Sequence, residues 1–417
     1  MHHHHPPSAA AALPSPYILL STTLFSLLLV LSLITIPTSP RPPSRPHPSL
    51  FPGRHRILFH HPSTTPPALP SLAYFISGSA NDSGRLIRLL HSVYHPRNHY
   101  LLHLDRSATH SERETLAASV KSVSVFVAAQ NVHVIGKADY VFDNGPSYLS
   151  STLHGAALLL RVSDTWDWFV SLDVHDYPLV TQDDLLHILS YLPRDLNFVN
   201  HTGYIGWRDR SRMLKPIVVD TALFLEEDSE MFYATQKREL PDTFRLFTGS
   251  SSSILSRKFL EFCITGTDNL PRILLMYLSN TPESSTVYFP TVACNSQQFN
   301  RTTINHSFHY ASLDSRHEPD FLNSSNFNDL IQSGAVFASP FRENDPLLDQ
   351  IDHEILLRRP GAPVPGGWCL GNSVKDKCDI WGDSDVLKPG MGAKRLERRL
   401  VEILSNETTR SHRCIDE

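Results

Sequence analysis

From Ser71 onward, short apolar runs alternate with longer segments whose apolar positions recur at helical spacing. "LAYFISGS" (Leu72 to Ser79) is a continuous apolar run closed by Gly and Ser, the pattern of a buried strand. "NDSGRLIRLLHSVYH" follows, with Leu86, Leu89, Leu90 and Val93 on one helical face. "HYLLHLD" (His99 to Asp105) predicts a second strand, ending on an acid, and "SERETLAASVKSV" a second helix. Ser111 with Glu114 three residues later has the form of a capping box there. "NVHVIG", "PSYLSSTLHGAALLLRV" and "DWFVSL" continue as strand, long helix and strand. This alternation predicts an α/β fold with a mostly parallel central sheet and helices on both faces.

The second half is less regular. "RDLNFVNHT", "KPIVVD" and "FRLFTGSSSSILS" read as strands, and "SRKFLEFCITG", "DNLPRILLMYLSN" and "NDPLLDQIDHEILLRR" as helices. Beyond about Gly361 the turn-rich "PVPGGWCLG" predicts a tail packed on the surface. No internal repeat is visible.

The N-terminal region has a different texture. After low-complexity residues 1–16, whose histidines support no metal site, Tyr17 to Ile36 is an uncharged apolar run. It has the length of a bilayer span, about 20 residues, and reads as a signal anchor rather than a cleaved signal peptide. Residues 37–70 are Pro-rich and predict a semi-extended stem, leaving residues 71–417 as the globular domain. Arg41, Arg45, Arg54 and Arg56 follow the span and no Lys or Arg precedes it, which by itself favours a cytoplasmic bulk. Six Asn-x-Ser/Thr sequons, at Asn81, Asn200, Asn300, Asn305, Asn323 and Asn406, favour a lumenal one.

A net charge of −5 argues against a general nucleic-acid binder. The five cysteines, Cys263, Cys294, Cys369, Cys378 and Cys414, show no zinc-type pairing; in an oxidising lumen they allow two disulfides and one free thiol. Cys369–Cys378 is the first expectation, as a staple for its Gly- and Pro-rich surroundings.

Candidate chemistry gathers where strands end. In "DWFVSLDVHDYPLVTQDD" the strand runs into Asp173-Val174-His175-Asp176. In open α/β sheets ligands bind outside the carboxyl ends of strands. A metal site held by oxygen ligands, a nucleotide-sugar site and an ordinary turn all fit these residues. Gly78 and Ser79 after the first strand, and Asp105 at the end of the second, fit a nucleotide-sugar site in the same way. A diphosphate could instead be neutralised by Arg342, or by the cluster Arg208, Arg210, Arg212 and Lys215.

The strings "AYFISGS", "LIRLLHSVYHPRNHYLLHLD", "NVHVIGKAD", "DYPLVTQDDLLHILSYLPRDLNFVNHTGYIGW", "LFTGS", "DNLPRILLMYLSN" and "VPGGWC" resemble plant members of glycosyltransferase family 14. That family includes the core-2/I-branching β-1,6-N-acetylglucosaminyltransferases. The resemblance runs from about Leu72 to Cys369. It implies a GT-A-type single catalytic domain in a type II Golgi membrane protein, and inverting transfer with no obligatory metal. A divalent metal is possible but not favoured. The plant branch implies glucuronic acid transfer from UDP-glucuronic acid to β-galactan chains of arabinogalactan proteins. UDP-N-acetylglucosamine as donor, or a catalytically weak scaffold binding glycan or nucleotide sugar, or scaffolding a partner transferase, are the alternatives.

The resemblance also implies site residues. Ser77, Gly78, Ser79, Asp105, Asp139, Asp176 and Arg342 are expected on the donor. Arg212 or Lys215 is expected on the acceptor or on the donor's carboxylate. Family members carry a Glu just before an aromatic pair; here Thr286 takes that place before Tyr288-Phe289, and Glu283 lies three residues earlier. Either Glu283 serves as the catalytic base or the base is lost. Pro340 stands where relatives have a Lys, and Asn200 where they have a Glu. Asp173 and His175 fall where relatives carry small residues, which speaks against a metal pair.

Overall fold

The structure, a computed structural model, describes residues 68–224, 231–312, 320–371, 377–405 and Cys414. The expected anchor at Tyr17 to Ile36 and nearly all of the stem lie outside those residues. Among the described residues no helix is long and apolar enough to cross a membrane.

Among the described residues twelve strands occur: β1 (Leu72–Gly78), β2 (His99–Leu104), β3 (Val132–Val134), β4 (Trp168–Asp173), β5 (Tyr177–Pro178), β6 (Asn197–Val199), β7 (Pro216–Val219), β8 (Phe232–Lys237), β9 (Ser253–Ser256), β10 (Thr303–Ile304), β11 (His309–Ala311) and β12 (Phe337–Ser339). Seven form the central sheet in the order β10-β6-β9-β4-β1-β2-β3. Pairing is parallel except for β9, which is antiparallel to both β4 and β6. The mostly parallel sheet expected from the sequence is therefore present. β5, β11 and β12 make a smaller sheet, and β7 with β8 a two-stranded ribbon.

The strand at the centre shows why. Leu72 to Ile76 are all at most 1% exposed, so β1 is covered on both faces and reads as an unbroken apolar run. Alternation then sorts its side chains. Phe75 joins a cluster with Leu149, Leu159, Phe169, Phe259, Val287 and Tyr288. Each large side chain buried there stabilises the fold by about 1.5–3 kcal/mol. The helix Pro146–Val162 crosses this face at Gly155, where a Cβ would stand 2.4 Å from the Phe75 ring. A glycine is what lets that helix lie close on β1. On the opposite face Tyr74 stacks on Tyr100 with centroids 5.4 Å apart, and its hydroxyl donates to Gln182 Oε1 at 2.8 Å.

Several elements depart from the sequence reading. The second helix is His110–Ser122, capped not by Ser111 but by Thr109, whose hydroxyl accepts from the Glu112 N–H. Of "FRLFTGSSSSILS" only Ser253–Ser256 is strand. Phe244–Ser252 runs as loop, in which Thr248 forms a bridge with Thr202. The helix Pro346–Glu354 stops before Arg358, which turns inward to bond Asp352. A helix over Ser285–Asn295 was not anticipated.

The largest correction concerns the tail. It is built into the domain. Trp368 is buried, Gly367 and Lys388 donate backbone N–H groups to Asp183, and Gly390 donates to Asp184. The helix Met391–Ser405 then packs beside Gln182–Ser190. Cys369 and Cys378 form the expected disulfide, Cys294 pairs with Cys414, and Cys263 is a free buried thiol whose pKa burial pushes up.

Candidate active site

The C-terminal ends of β1, β2 and β4 open into one cleft of about 460 Å³, open mouth included. β1 contributes Ser77, Gly78 and the following Ser79; β2 contributes His103, with Asp105 just after its end; β4 contributes Asp173, followed by Val174 and His175. Asp82, Asp143 and Tyr148 complete the polar wall. The chain turns tightly after β1, because a Cβ on Gly78 would lie 2.7 Å from Val174 and 3.1 Å from Asp82. Asp82 holds that turn by accepting from the backbone N–H and the hydroxyl of Ser79, both at 3.0 Å.

The cleft acids differ in what they face. Asp105 is 5% exposed, accepts from the Ser107 N–H at 3.0 Å, and burial raises its pKa. Asp173 accepts from the backbone N–H of His175 at 2.9 Å and from its Nδ1 at 2.5 Å. That side-chain bond raises the His175 pKa. His103 is fully buried and pushed down to about 4, so its ring is neutral. Its Nε2 accepts from the Asp139 N–H at 3.2 Å. Arg85, from the helix Ser83–Ser92, sits beside the cleft and donates to the carbonyls of Val174 and Phe341 at 3.2 and 3.1 Å.

Glu283 stands at the adjoining loop. Its N–H donates to the Asn144 carbonyl at 2.8 Å, one residue from the cleft-lining Asp143. Its φ is +50°, in the left-handed region that non-glycine residues occupy at a cost. Among the described residues its carboxylate has no hydrogen-bond or ion-pair partner. Thr286 donates its hydroxyl to the Glu283 carbonyl at 2.8 Å, and its own carbonyl accepts from the Gly249 N–H. Thr286 thus holds the loop that carries Glu283.

Comparison with known proteins places this arrangement. Residues 72–326 match the Core-2/I-branching enzyme family, which spans every strand that lines the cleft. The chain belongs to that family. Beta-glucuronosyltransferase GlcAT14A of Arabidopsis thaliana is 48% identical over 84% of this chain and 78% of its own length. Beta-glucuronosyltransferase GlcAT14C of the same plant is 43% identical over 92% of this chain and 94% of its own. Human xylosyltransferase 1 is 31% identical over 55% of this chain and 23% of its own. Among solved structures, mouse xyloside xylosyltransferase 1 aligns over 56% of this chain and 84% of that one. Its TM-score is 0.29 at 10% identity, too weak a likeness to bear on the fold.

Within this family member, the residues expected at the site fall into two groups. Ser77, Gly78, Ser79 and Asp105 line the cleft, with Glu283 beside it. The others do not line it. Asp139 lies behind His103 and accepts from His154 Nδ1 at 2.7 Å. Asp176 ties the turn after β4, accepting from the Asp173 N–H at 2.8 Å and pairing with His309 Nε2 at 3.1 Å. Arg342 is exposed, over the Phe321 ring. Arg212 is exposed in the short helical segment Arg210–Leu214, and Lys215 pairs with Glu239 at 3.4 Å beside the β7–β8 ribbon. Arg85, Asp82 and Asp143 were not singled out by the sequence. Arg85 and Asp82 lie three residues apart at the start of an amphipathic helix, where such a pair looks like ordinary solvated surface.

The candidate metal geometry is equally plain. One group among the described residues brings three possible ligand atoms within 4.8 Å, namely His201, Cys294 and Cys414, and its two cysteines are joined as a disulfide. The sequons also separate. Asn81, Asn200 and Asn323 are exposed. Asn305 is committed, donating to the His201 carbonyl and accepting from its N–H, each at 2.8 Å. Asn406 lies outside the described residues.

Proposed function

We propose that this glycosyltransferase moves glucuronic acid from UDP-glucuronic acid to β-galactan chains of arabinogalactan proteins, inverting the anomeric centre. The observation that carries the reading is its 43–48% identity, over most of both chains, to plant proteins named beta-glucuronosyltransferases. The cleft at the ends of β1, β2 and β4 supports it, since that is where an open sheet of this kind takes a nucleotide. In this reading the fold is of GT-A type. Ser77 to Ser79 let backbone approach the uridine, and Asp105 accepts hydrogen bonds from it. Arg85 faces the diphosphate as a fixed cation.

Inversion needs one general base on the acceptor hydroxyl. Glu283 is the proposed base: unpartnered, half-buried and held next to the cleft. The acceptor oxygen forms its bond to the anomeric carbon while its proton passes to the Glu283 carboxylate. The bond from that carbon to the phosphate oxygen breaks, and UDP leaves with the electron pair. No metal is required in this scheme. Arg212 and Lys215 remain proposals for acceptor or donor-carboxylate contacts on the β7–β8 side, and Arg342 for a phosphate contact. The setting proposed is a type II Golgi membrane protein, anchored by Tyr17 to Ile36, with its catalytic domain in the lumen.

A second reading, a weak transferase acting as a glycan or nucleotide-sugar scaffold, is favoured by one observation. The position where relatives carry the base is Thr286, and its hydroxyl already donates to the Glu283 backbone carbonyl. Transfer assays with UDP-glucuronic acid, UDP-N-acetylglucosamine and UDP-galactose, on β-1,3- and β-1,6-galacto-oligosaccharides with and without EDTA, separate the two. Transfer from UDP-glucuronic acid that survives EDTA supports the first reading. Transfer only from another donor overturns the glucuronosyl assignment. No transfer by folded protein that binds UDP supports the scaffold.

A further inference from the structure

The cleft wall is acidic. Asp82, Asp105, Asp143 and Asp173 line it, and no Lys or Arg is among the described residues that do. A nucleotide diphosphate entering here needs positive charge within the wall itself. Two lining groups could carry it, His103 and His175. His103 is excluded, because its burial keeps it neutral down to about 4.

We propose that His175, oriented by Asp173 and backed by Arg85, grips the diphosphate of the donor as an imidazolium. The proposal rests on the reading of the cleft as a uridine-nucleotide site. Asp173 fixes the ring from two directions, through the backbone N–H at 2.9 Å and Nδ1 at 2.5 Å. With the Nδ1 proton directed at a carboxylate, Nε2 is the free end. It lies 3.4 Å from Nη1 of Arg85. When neutral, Nε2 accepts from Arg85. When protonated, Nε2–H stands beside a guanidinium whose Nη1 has only Asp82, at 3.4 Å, to offset it, an arrangement that a further anion relieves. The His175 side chain is 41% exposed and can reach a ligand in the cleft.

The groups around His175 set the sign of its titration. Asp173 contacts the ring directly and Asp82 faces it from the N-cap of the helix Ser83–Ser92; both favour the cation, while burial and Arg85 oppose it. Asp143 adds negative charge from the loop before Pro146. The segment carrying Arg342 contributes a backbone contact, the Phe341 N–H donating to the His175 carbonyl at 3.0 Å. The balance raises the pKa, so the positive charge persists above the ordinary histidine range and is lost as pH rises through the raised value.

UDP and uridine titrations across pH, on the wild type and on His175→Gln and Asp173→Asn, test this. Titration of the phosphate itself is common to all three proteins. The wild type is expected to lose UDP affinity about tenfold or more as His175 deprotonates. His175→Gln keeps a neutral donor and should bind UDP weakly at low pH, without that step. Asp173→Asn should move the step to lower pH. Uridine, lacking phosphate, should show no step where His175 titrates and should be indifferent to both substitutions. The same pH dependence in the wild type and in His175→Gln overturns the role of His175 and leaves the uridine site standing. Failure of the wild type to bind either UDP or uridine overturns the site and the proposal with it.

Discussion

Two regions of this chain are rich in aspartate, and they use it in opposite ways. At the cleft, Asp82, Asp105, Asp143 and Asp173 line an open space; the carboxylates of Asp82 and Asp173 bond only neighbours a few residues away, and that of Asp105 bonds Ser107 and, across the cleft wall, the Val141 N–H. At the seam between the helix Gln182–Ser190, the helix Pro346–Glu354 and the tail, aspartates are buried and bind groups distant in sequence. Asp183 takes the N–H groups of Gly367 and Lys388 at 2.7 and 2.6 Å. Asp352 accepts from Tyr177, Arg88 and Arg358 at 2.6, 2.8 and 2.9 Å. A buried carboxylate is tolerable only when paired and hydrogen-bonded. The seam acids meet that condition and hold the domain together. The cleft acids keep lone pairs for a ligand. Residue type alone does not separate the two; facing open space or a distant packed element does.

Substitution of Asp352 is the strongest way to break this contrast. Asp352→Ala leaves Arg358, about 5% exposed, and Arg88 without their shared carboxylate. It should cost about 3–5 kcal/mol of stability, read as a lower denaturant midpoint. Protein that remains folded should bind UDP as the wild type does. A stability loss below about 1 kcal/mol would remove the distinction between the regions.

Asp105→Asn probes the other side. Burial raises the Asp105 pKa, so its ionised form weighs against the folded state. The folded protein therefore binds more protons than the unfolded chain between the ordinary carboxylate pKa and the raised one, and stability falls as pH rises through that window. Asp105→Asn should leave stability at pH 7 unchanged or slightly higher and flatten this acid-range dependence, while UDP affinity falls about tenfold. A marked loss of stability would make Asp105 a seam-type acid.

The smallest effect sharpens the same idea at the sequons. Asn305 spends its amide on His201, so mass spectrometry of the protein purified from plant membranes should find glycan at exposed sites such as Asn81 and Asn323, and none at Asn305. Occupancy at Asn305 would mean that the His201 contact is dispensable.

The cleft half of the molecule was largely legible. β1, β2 and β4 are parallel strands buried on both faces, so their apolar runs mark where they end, and Ser77 to Ser79, Asp105 and Asp173 follow at those ends. The helix Pro146–Val162 was readable to the residue, from its proline at the start and its apolar face. The seam half was not. "VTQDDLL" has the look of site chemistry, yet Thr181 and Asp184 close a capping box and Asp183 receives a tail almost 200 positions away in sequence. No local pattern announces such a partner. The helix Met391–Ser405 does carry a signal, in Leu396, Leu400 and Ile403, but the turn-rich stretch before it points to a surface tail. Ser285–Asn295 hides behind Pro290 and its β-branched residues, which lower local helix propensity and are overridden by burial. Arg85 was illegible for the converse reason: its role depends on carbonyls from two distant loops.

The central claim is that the cleft binds the donor and Glu283 acts on the acceptor. Its most direct test is the glucuronosyl transfer rate of Glu283→Gln beside its UDP affinity. A rate at least about a hundredfold below wild type, with unchanged UDP affinity and melting temperature, is the predicted result. A wild-type rate in that variant would contradict it and move the base elsewhere in the cleft.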